Sequence, residues 1–507
     1  MLGSPLAASG SPAGEVQAFP LAHEVAFAVS GPDGNLWFVD TTTDRIMRMT
    51  PAGAVTYITV PDPGSRLMGL TAGPDGNLWT TAQGANLMIR ITPEGQVTEF
   101  PLTPIGASGP RGIASGPDGN LWVGMTDGSL ANWFAKVPTT AAGGEYYPAG
   151  TGYLISNMTS TSSGVYFVQN TGAAVGRVEP DGTVSTIPGA GVTYGIAGGP
   201  GGQVWTAAYS PALLKAWTPG AGASTSYATD GGAFPAAIGT GPDGNVWYIT
   251  TPATTRMAAR ISATGAPQGS YSLGLPATGF AGDILAGSDG NMWASFTDSG
   301  TGTVVRIGTG VDRVARATIA GSGIVGTEQR CEVTVEAGGL GAVRSRSWSW
   351  FADGTKIAGA DGAVYVPVDD LINKSLTCRA SLTFEVGLTQ MGFTSPAIVV
   401  RKAAAASSGA GGSSASTTPQ RLKASWARRG SRVTATFRAV PGASRNVIRA
   451  TRKGTRARTG TCTVRTVRRA RTVTCRVTLP KGRWTVMAEA RRGATPVARA
   501  SRAYRIG

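Results

Sequence analysis

GPDGNLWF (residues 31–38) returns along the chain almost unchanged: GPDGNLWT at 73–80, GPDGNLWV at 116–123, GPDGNVWY at 241–248 and GSDGNMWA at 287–294. A worn copy, GGPGGQVW, occupies 198–205, and TSSGVYFVQN (161–170) places Tyr166 where the others have Trp. The aromatic position therefore falls at 37, 79, 122, 166, 205, 247 and 293, at spacings of 42, 43, 44, 39, 42 and 46 residues. A second phrase follows at a near-constant offset, as in RIMRMTPAGAVTYI (45–58), LMIRITPEGQVTEF (87–100) and AVGRVEPDGTVSTI (174–187). A unit of about forty residues holding four short strands is a propeller blade. The octapeptide supplies its inner hairpin. Pro presets φ at the first corner and the closing Gly takes φ > 0. The alternation in N-L-W-F then sends the Trp to one face, between neighbouring blades. Small residues in LMGLTAG (67–73) and PRGIASG (110–116) suit innermost strands crowded around a channel.

The seventh copy ends at TVVRIGTG (303–310) without an outer strand, whereas SPAGEVQAFPL (11–21) reads like TPEGQVTEFPL (92–102). Residues 15–20 are thus expected to complete the last blade and close the ring. The fold class is all-β: a seven-bladed β-propeller over residues 1–312, followed by two β-sandwich domains.

The formal net charge of +16 is unevenly held. Residues 421–507 carry 24 Lys and Arg against one acid, Glu489, so the rest of the chain is mildly acidic. No run of eighteen apolar residues occurs, which argues against a membrane-spanning segment. The start MLGSPLAASGSPAGEV shows no signal peptide, lacking a basic opening and a long apolar core.

Beyond residue 312 the cysteines begin. Cys331 and Cys378 lie 47 apart with Trp350 between them, on alternating strands, as in an immunoglobulin-like sandwich over 313–400; two free buried thiols are the alternative. RKAAAASSGAGGSSASTTPQ (401–420) reads as a flexible linker with ends about 25 Å apart. Residues 421–507 have a basic, fibronectin-III-like rhythm. There TCTVRTVRRARTVTC (461–475) folds about Arg468-Arg469 to set Val464 opposite Val473 and Cys462 opposite Cys475, natural for a cross-strand disulfide. Two such pairs outweigh the missing signal peptide and place the protein in an oxidising location, secreted or at the cell surface.

The tandem GPDGNLWF … RIxRITPxGxVTEFPL resembles the virginiamycin B lyase-like (streptogramin lyase) propellers over roughly residues 11–310. The resemblance implies a carbon–oxygen lyase, in which Mg²⁺ and His and Glu residues at the channel mouth open a cyclic ester by elimination. This chain departs where such chemistry needs a base near neutral pKa and carboxylate-held metal. It has one histidine, His23, and among the positions three after each Trp only Asp40 is acidic.

The channel-mouth candidates are His23, Glu24, Asp40, Arg111, Tyr194 and Asp283, which could hold an oxygen-liganded cation, a small polar ligand or a glycan. The plainer reading, preferred here, makes Asp40 and Asp283 turn caps and His23 a solvated loop residue. No catalytic or metal-ligating residue is assigned, and Mg²⁺ enters only if the protein is lyase-like. The expected function is non-catalytic binding or adhesion, with the basic end attracted to an anionic cell-wall polymer. Nucleic acid is disfavoured as a partner, because the basic end has four aromatics, mostly at core positions, and no nucleic-acid motif. The alternative is a Mg-dependent lyase-like enzyme.

Overall fold

The computed structural model describes residues 11–402 and 420–506, apart from residues 63, 103–108, 127–130, 141–142, 152–154, 170–173, 189–191, 222, 251–254, 422–423, 430, 439–444, 452–457, 468–469 and 493–494. The protein is all-β, and four short 3-10 turns are the only helical elements described.

Between residues 16 and 307 the strands form seven four-stranded antiparallel sheets, each from strands consecutive in sequence, save one. The first sheet runs Val25–Ser30, Leu36–Asp40, Arg45–Met49, Val55–Thr59. The exception holds Phe280–Ala286, Met292–Asp298 and Thr301–Ile307, and its fourth strand is Val16–Leu21 from the start of the chain. That strand pairs antiparallel with Thr301–Ile307 from Val16 opposite Ile307 to Leu21 opposite Gly302, the closure expected from the sequence. The first strands of successive sheets touch one another all the way round, and Val25–Ser30 meets Phe280–Ala286 to complete the ring. Each is a propeller's inner strand, with its register interrupted by a bulge, as between Leu67 and Leu70. Crowding there is real: a Cβ on Gly69 would stand 2.6 Å from the Arg111 carbonyl oxygen.

The octapeptide's chemistry is local and repeated. Asp33 Oδ1 accepts from Trp37 Nε1 at 2.9 Å, while its Oδ2 accepts from the Asn35 amide at 2.6 Å. The same triad recurs at Asp75, Asn77 and Trp79, at Asp118, Asn120 and Trp122, at Asp243, Asn245 and Trp247, and at Asp289, Asn291 and Trp293. In the worn copy Gln203 Oε1 accepts from Trp205 Nε1 at 3.1 Å, and Tyr166 pairs its hydroxyl with Ser163 at 2.9 Å. The leading Gly has a steric reason: a Cβ at Gly73 would lie 2.5 Å from Asp75 Oδ1 and from the Trp79 ring. Each buried indole thereby keeps its one donor satisfied inside an apolar seam. The seams join neighbouring sheets, as where Trp37 packs with Leu67, Leu70 and Leu78.

Residues 313–402 form two further sheets. One holds Ala315–Ala320, Gln329–Val335 and Val364–Tyr365; the other is built on Val343–Ala352, Ser375–Phe384 and Gln390–Thr394. The disulfide Cys331–Cys378 joins them, and Trp350, fully buried, donates from Nε1 to the Gly362 carbonyl at 2.8 Å. These sheets are no separate bead. One compact unit extends to Ala403, and a single buried cluster runs from Trp247 and Met292 through Val314 and Leu340 to Trp350 and Cys378. The contact is made on the hairpin-turn face of the propeller. Gly392 N donates to the Gly31 carbonyl at 3.2 Å, Gly387 lies against Gly198, Gly339 against Pro242 and Gly244, and Arg379 pairs with Glu94 at 3.6 Å.

The second compact unit, Ala404–Gly507, pairs its strands along one path of eight, where the sequence rhythm suggested two sheets. The strand Arg458–Val467 makes the path continuous. It meets Arg445–Thr451 through residues 458–460 and Ala470–Thr478 through 461–467. In the latter ladder Val464 faces Val473 and Cys462 faces Cys475, the register expected, and Cys475 is disulfide-bonded. No described helix is long and apolar enough to cross a membrane.

Candidate binding site at the channel mouth

Each inner strand runs from the mouth of the channel towards the hairpin-turn face, so residues that precede these strands form the rim. Sheets from residues 313–402 lie against hairpin turns at separate points around the opposite face, so they leave the mouth clear. Within the ring is a cavity of about 710 Å³, lined by small and apolar residues such as Ala28, Leu70, Ile113 and Ile238, with Asn157, Arg256 and Asp283 as its polar members.

The acids singled out from sequence are already engaged. Asp40 is fully buried at the end of its strand: its carboxylate accepts from the Thr42 and Thr43 amides at 3.1 Å and the Thr43 hydroxyl at 2.6 Å, and pairs with Arg45 at 3.0 Å. It caps the tight turn that follows. Glu24 joins the first and last sheets, accepting from the Gly300 amide at 2.9 Å through Oε1. His23, beside it, is half-buried with its ring edge-on to Tyr57 at 6.1 Å.

Asp283 does face the channel, yet its carboxylate accepts from the Ala28 amide at 2.8 Å and from that of Phe27. Phe27 stands at φ 50°, so this carboxylate fastens a bulge in the first inner strand to the last. Burial pushes the Asp283 carboxyl above the usual carboxylate range, against the pull of the two amides. The Tyr194 side chain lies outside the described residues; its backbone belongs to the inner strand Val192–Gly198.

The ring thus brings His23 and Glu24 beside the last sheet but does not gather the acids into a ligand set. Among the described residues, no three His, Cys, Asp or Glu side chains converge as a metal would need. A Mg²⁺ ion does not fit this donor set, since Asp40 and Asp283 are turned to the protein's own donors, Glu24 spends Oε1 on the Gly300 amide, and no three such side chains converge among the described residues.

Arg111 is placed differently. With the Gln83 amide oriented to face it, Gln83 Oε1 accepts from Arg111 Nε at 2.9 Å and from Nη2 at 3.1 Å. The Gln83 backbone N–H in turn donates to the Arg66 carbonyl at 3.1 Å, which sets two arginines side by side on the rim. Burial, and then the charge of Arg66, lowers the Arg111 pKa.

Four further residues escaped the sequence reading. Tyr209 and Phe234 meet edge-to-face at 4.9 Å and are 47% and 38% exposed, and Phe280 is 79% exposed. All three line the cavity, together with Arg256, whose buried guanidinium lies 5.0 Å over Phe296 and bonds the Pro276 and Thr278 carbonyls. Tyr209 lies one residue beyond the position three after Trp205, and Phe234 one residue ahead of the inner strand that starts at Pro235. The available signal was an aromatic at or beside a strand end of the fifth, sixth and seventh sheets.

The sequence profile described as the virginiamycin B lyase family matches residues 8–132 and 109–316, more than half of the chain. The chain belongs to the virginiamycin B lyase family. Two solved structures agree with a family propeller. A streptogramin B lyase aligns at 24% identity and TM-score 0.50, covering 59% of this chain and 100% of its own. A virginiamycin B lyase from Staphylococcus aureus aligns at 21% and 0.50, covering 58% of this chain and 99% of its own. Likeness at this identity speaks for the fold alone. No curated protein matches. The family match ends at residue 316, so the sheets against the turn face and the basic unit are additions to the family's propeller.

Proposed function

We propose that this member of the virginiamycin B lyase family is an exported binding protein that uses the propeller as a scaffold and does not perform lyase chemistry. We read the seven sheets as seven blades, residues 313–400 as an immunoglobulin-like sandwich, and residues 421–507 as a basic sandwich-like module that draws the protein to an anionic envelope polymer. The observation carrying this reading is the engagement of Glu24, Asp40 and Asp283 by backbone amides, a hydroxyl and Arg45. A general base or metal ligand needs a free lone pair aimed into the site; Asp40 and Asp283 are aimed at the fold, and Glu24 is held through Oε1 at the seam between the first and last sheets. His23 stands alone, with no second imidazole in the chain.

Family membership favours a second reading, Mg²⁺-dependent opening of a cyclic ester by C–O elimination. Incubating the full chain with a type B streptogramin and Mg²⁺ separates the two. Elimination yields a linear isomer of unchanged mass, visible by its chromatographic shift and fragmentation. An intact ring is the expected result; a linear isomer establishes the lyase. The envelope role is checked by binding the full chain to purified cell wall: retention should fall as ionic strength rises, and retention indifferent to salt rejects it.

A further inference from the structure

We infer that the channel mouth selects a small ligand combining an oxyanion with an aromatic or similarly flat apolar body, the oxyanion held by Arg66 and Arg111 and the body by Tyr209, Phe234 and Phe280. This rests on the reading of the mouth as a binding site and specifies what it binds.

Around the ring, Arg66 precedes the second inner strand and Arg111 is second in the third, while Tyr209 and Phe280 lie in the fifth and seventh sheets and Phe234 directly precedes the sixth. The two groups therefore face each other across the channel. Neither arginine forms an ion pair among the described residues. Gln83 holds them together, bonding the guanidinium of one and the carbonyl of the other. The amide presents one neutral oxygen to Arg111 and leaves its charge uncompensated. Two adjacent guanidiniums, one partly desolvated, repel; a bound carboxylate, phosphate or sulfonate relieves that repulsion and accepts charge-assisted bonds from both.

The opposite wall has the converse character. Phe280 is 79% exposed, far beyond what an isolated core-forming residue shows in this ring, and Tyr209 and Phe234 form an edge-to-face pair beside it. Rigid aromatics left open at a cavity rim contribute apolar contact at little entropic cost. Asp283, the one acid lining the cavity, is spent on the Ala28 and Phe27 amides and offers no donor to an anion deep in the channel, which leaves the arginine rim as the place for the charged end. Because residues 313–402 cover turns on the far face, a ligand enters past these two walls.

The test uses the full chain and three probes, 1-naphthyl phosphate, 2-naphthoate and neutral 1-naphthol, with binding followed by equilibrium dialysis and naphthalene fluorescence. Both anions are expected to bind at least tenfold more tightly than the neutral ring. Phosphate binding above naphthoate points to a phosphoryl group as the natural oxyanion, and the reverse to a carboxylate. Arg111→Met should erase the preference for anions while sparing 1-naphthol. Arg66→Met, at an exposed side chain, should weaken the anions alone. Phe280→Ser should weaken all three. Equal binding of the three probes, unmoved by either arginine variant yet lost in F280S, overturns the oxyanion assignment and leaves the mouth as a binding site. Binding of all probes indifferent to F280S removes the mouth reading itself.

Discussion

Phe19 stacks on Trp293 with ring centroids 5.5 Å apart, although the two sit at opposite ends of the propeller sequence. In other sheets the same partnership is internal, with Trp79 on Phe100 at 5.4 Å and Trp205 on Tyr227 at 5.3 Å. The start of the chain thus supplies both the last outer strand and the aromatic that covers its tryptophan. Phe19→Ala should cost about 1–2 kcal/mol, less than a fully buried aromatic because Phe19 is half-buried. A urea titration reads this directly. Deleting residues 1–21 should lower the melting temperature far more, by leaving the strand Thr301–Ile307 an unpaired edge. An unchanged melt of the truncated chain would show that the strand does not close the ring.

The Asp–Trp bond of the octapeptide makes a sharper test. Asp289 and Asn291 are buried, and Trp293 Nε1 donates to Asp289 at 3.1 Å. Asp289→Ala strands a buried indole donor and a buried amide, at a cost of about 1–3 kcal/mol. Asp289→Asn retains an acceptor and should cost less. Equal losses in the two variants, measured by denaturation, would mean that packing and not hydrogen bonding sets the position.

Gly392 lies against the propeller so closely that a Cβ there would overlap the Pro32 carbonyl. Gly392→Ala should therefore loosen residues 313–402 from the turn face without disturbing either set of sheets internally. Limited proteolysis should reveal faster cleavage near residue 313 and a melt split into two transitions. A single unchanged transition would place the strength of this interface elsewhere, most directly in the buried cluster around Val314 and Leu340.

The Cys331–Cys378 bridge encloses 47 residues, for which chain entropy gives about 4 kcal/mol. Replacing both cysteines by Ala, or reducing the protein, should lower stability by that order. Cooperative melting of the whole first unit should suffer too, since these sheets share a core with the propeller.

Asp283 gives a pH signature. Its carboxyl is raised by burial, so the folded state binds the proton more tightly than the unfolded chain. Its contribution is fully present below the ordinary carboxylate pKa of 3.8 and is lost as pH rises through the higher folded value. The stability of the wild type relative to Asp283→Asn should consequently decline as pH rises above the ordinary carboxylate range. A difference that stays flat with pH would show that the carboxyl is not desolvated.

Much of this was legible in the residues alone. The period near forty fixes a repeated four-strand unit, and the likeness of residues 11–21 to 92–102 fixes where the ring closes, because a strand's pairing is written in its own alternation and turns. The near-palindrome about Arg468-Arg469 fixed a hairpin register for the same reason: the information is local.

What only the tertiary structure decided is where chemically able groups turn their lone pairs and open faces. Asp40 and Asp283 look alike in sequence, yet one caps its own turn and the other fastens the last inner strand to the first. Arg66 and Arg111 are 45 residues apart in sequence and become neighbours only when consecutive sheets stand side by side. The exposed aromatics of the fifth to seventh sheets become a wall in the same way. Nor does the composition of residues 313–402 announce that they cover the turn face, since that contact rests on glycines accepted by backbone carbonyls on the other side. Periodicity records which face a residue takes within its sheet, but the partner it meets across the ring depends on how seven sheets close.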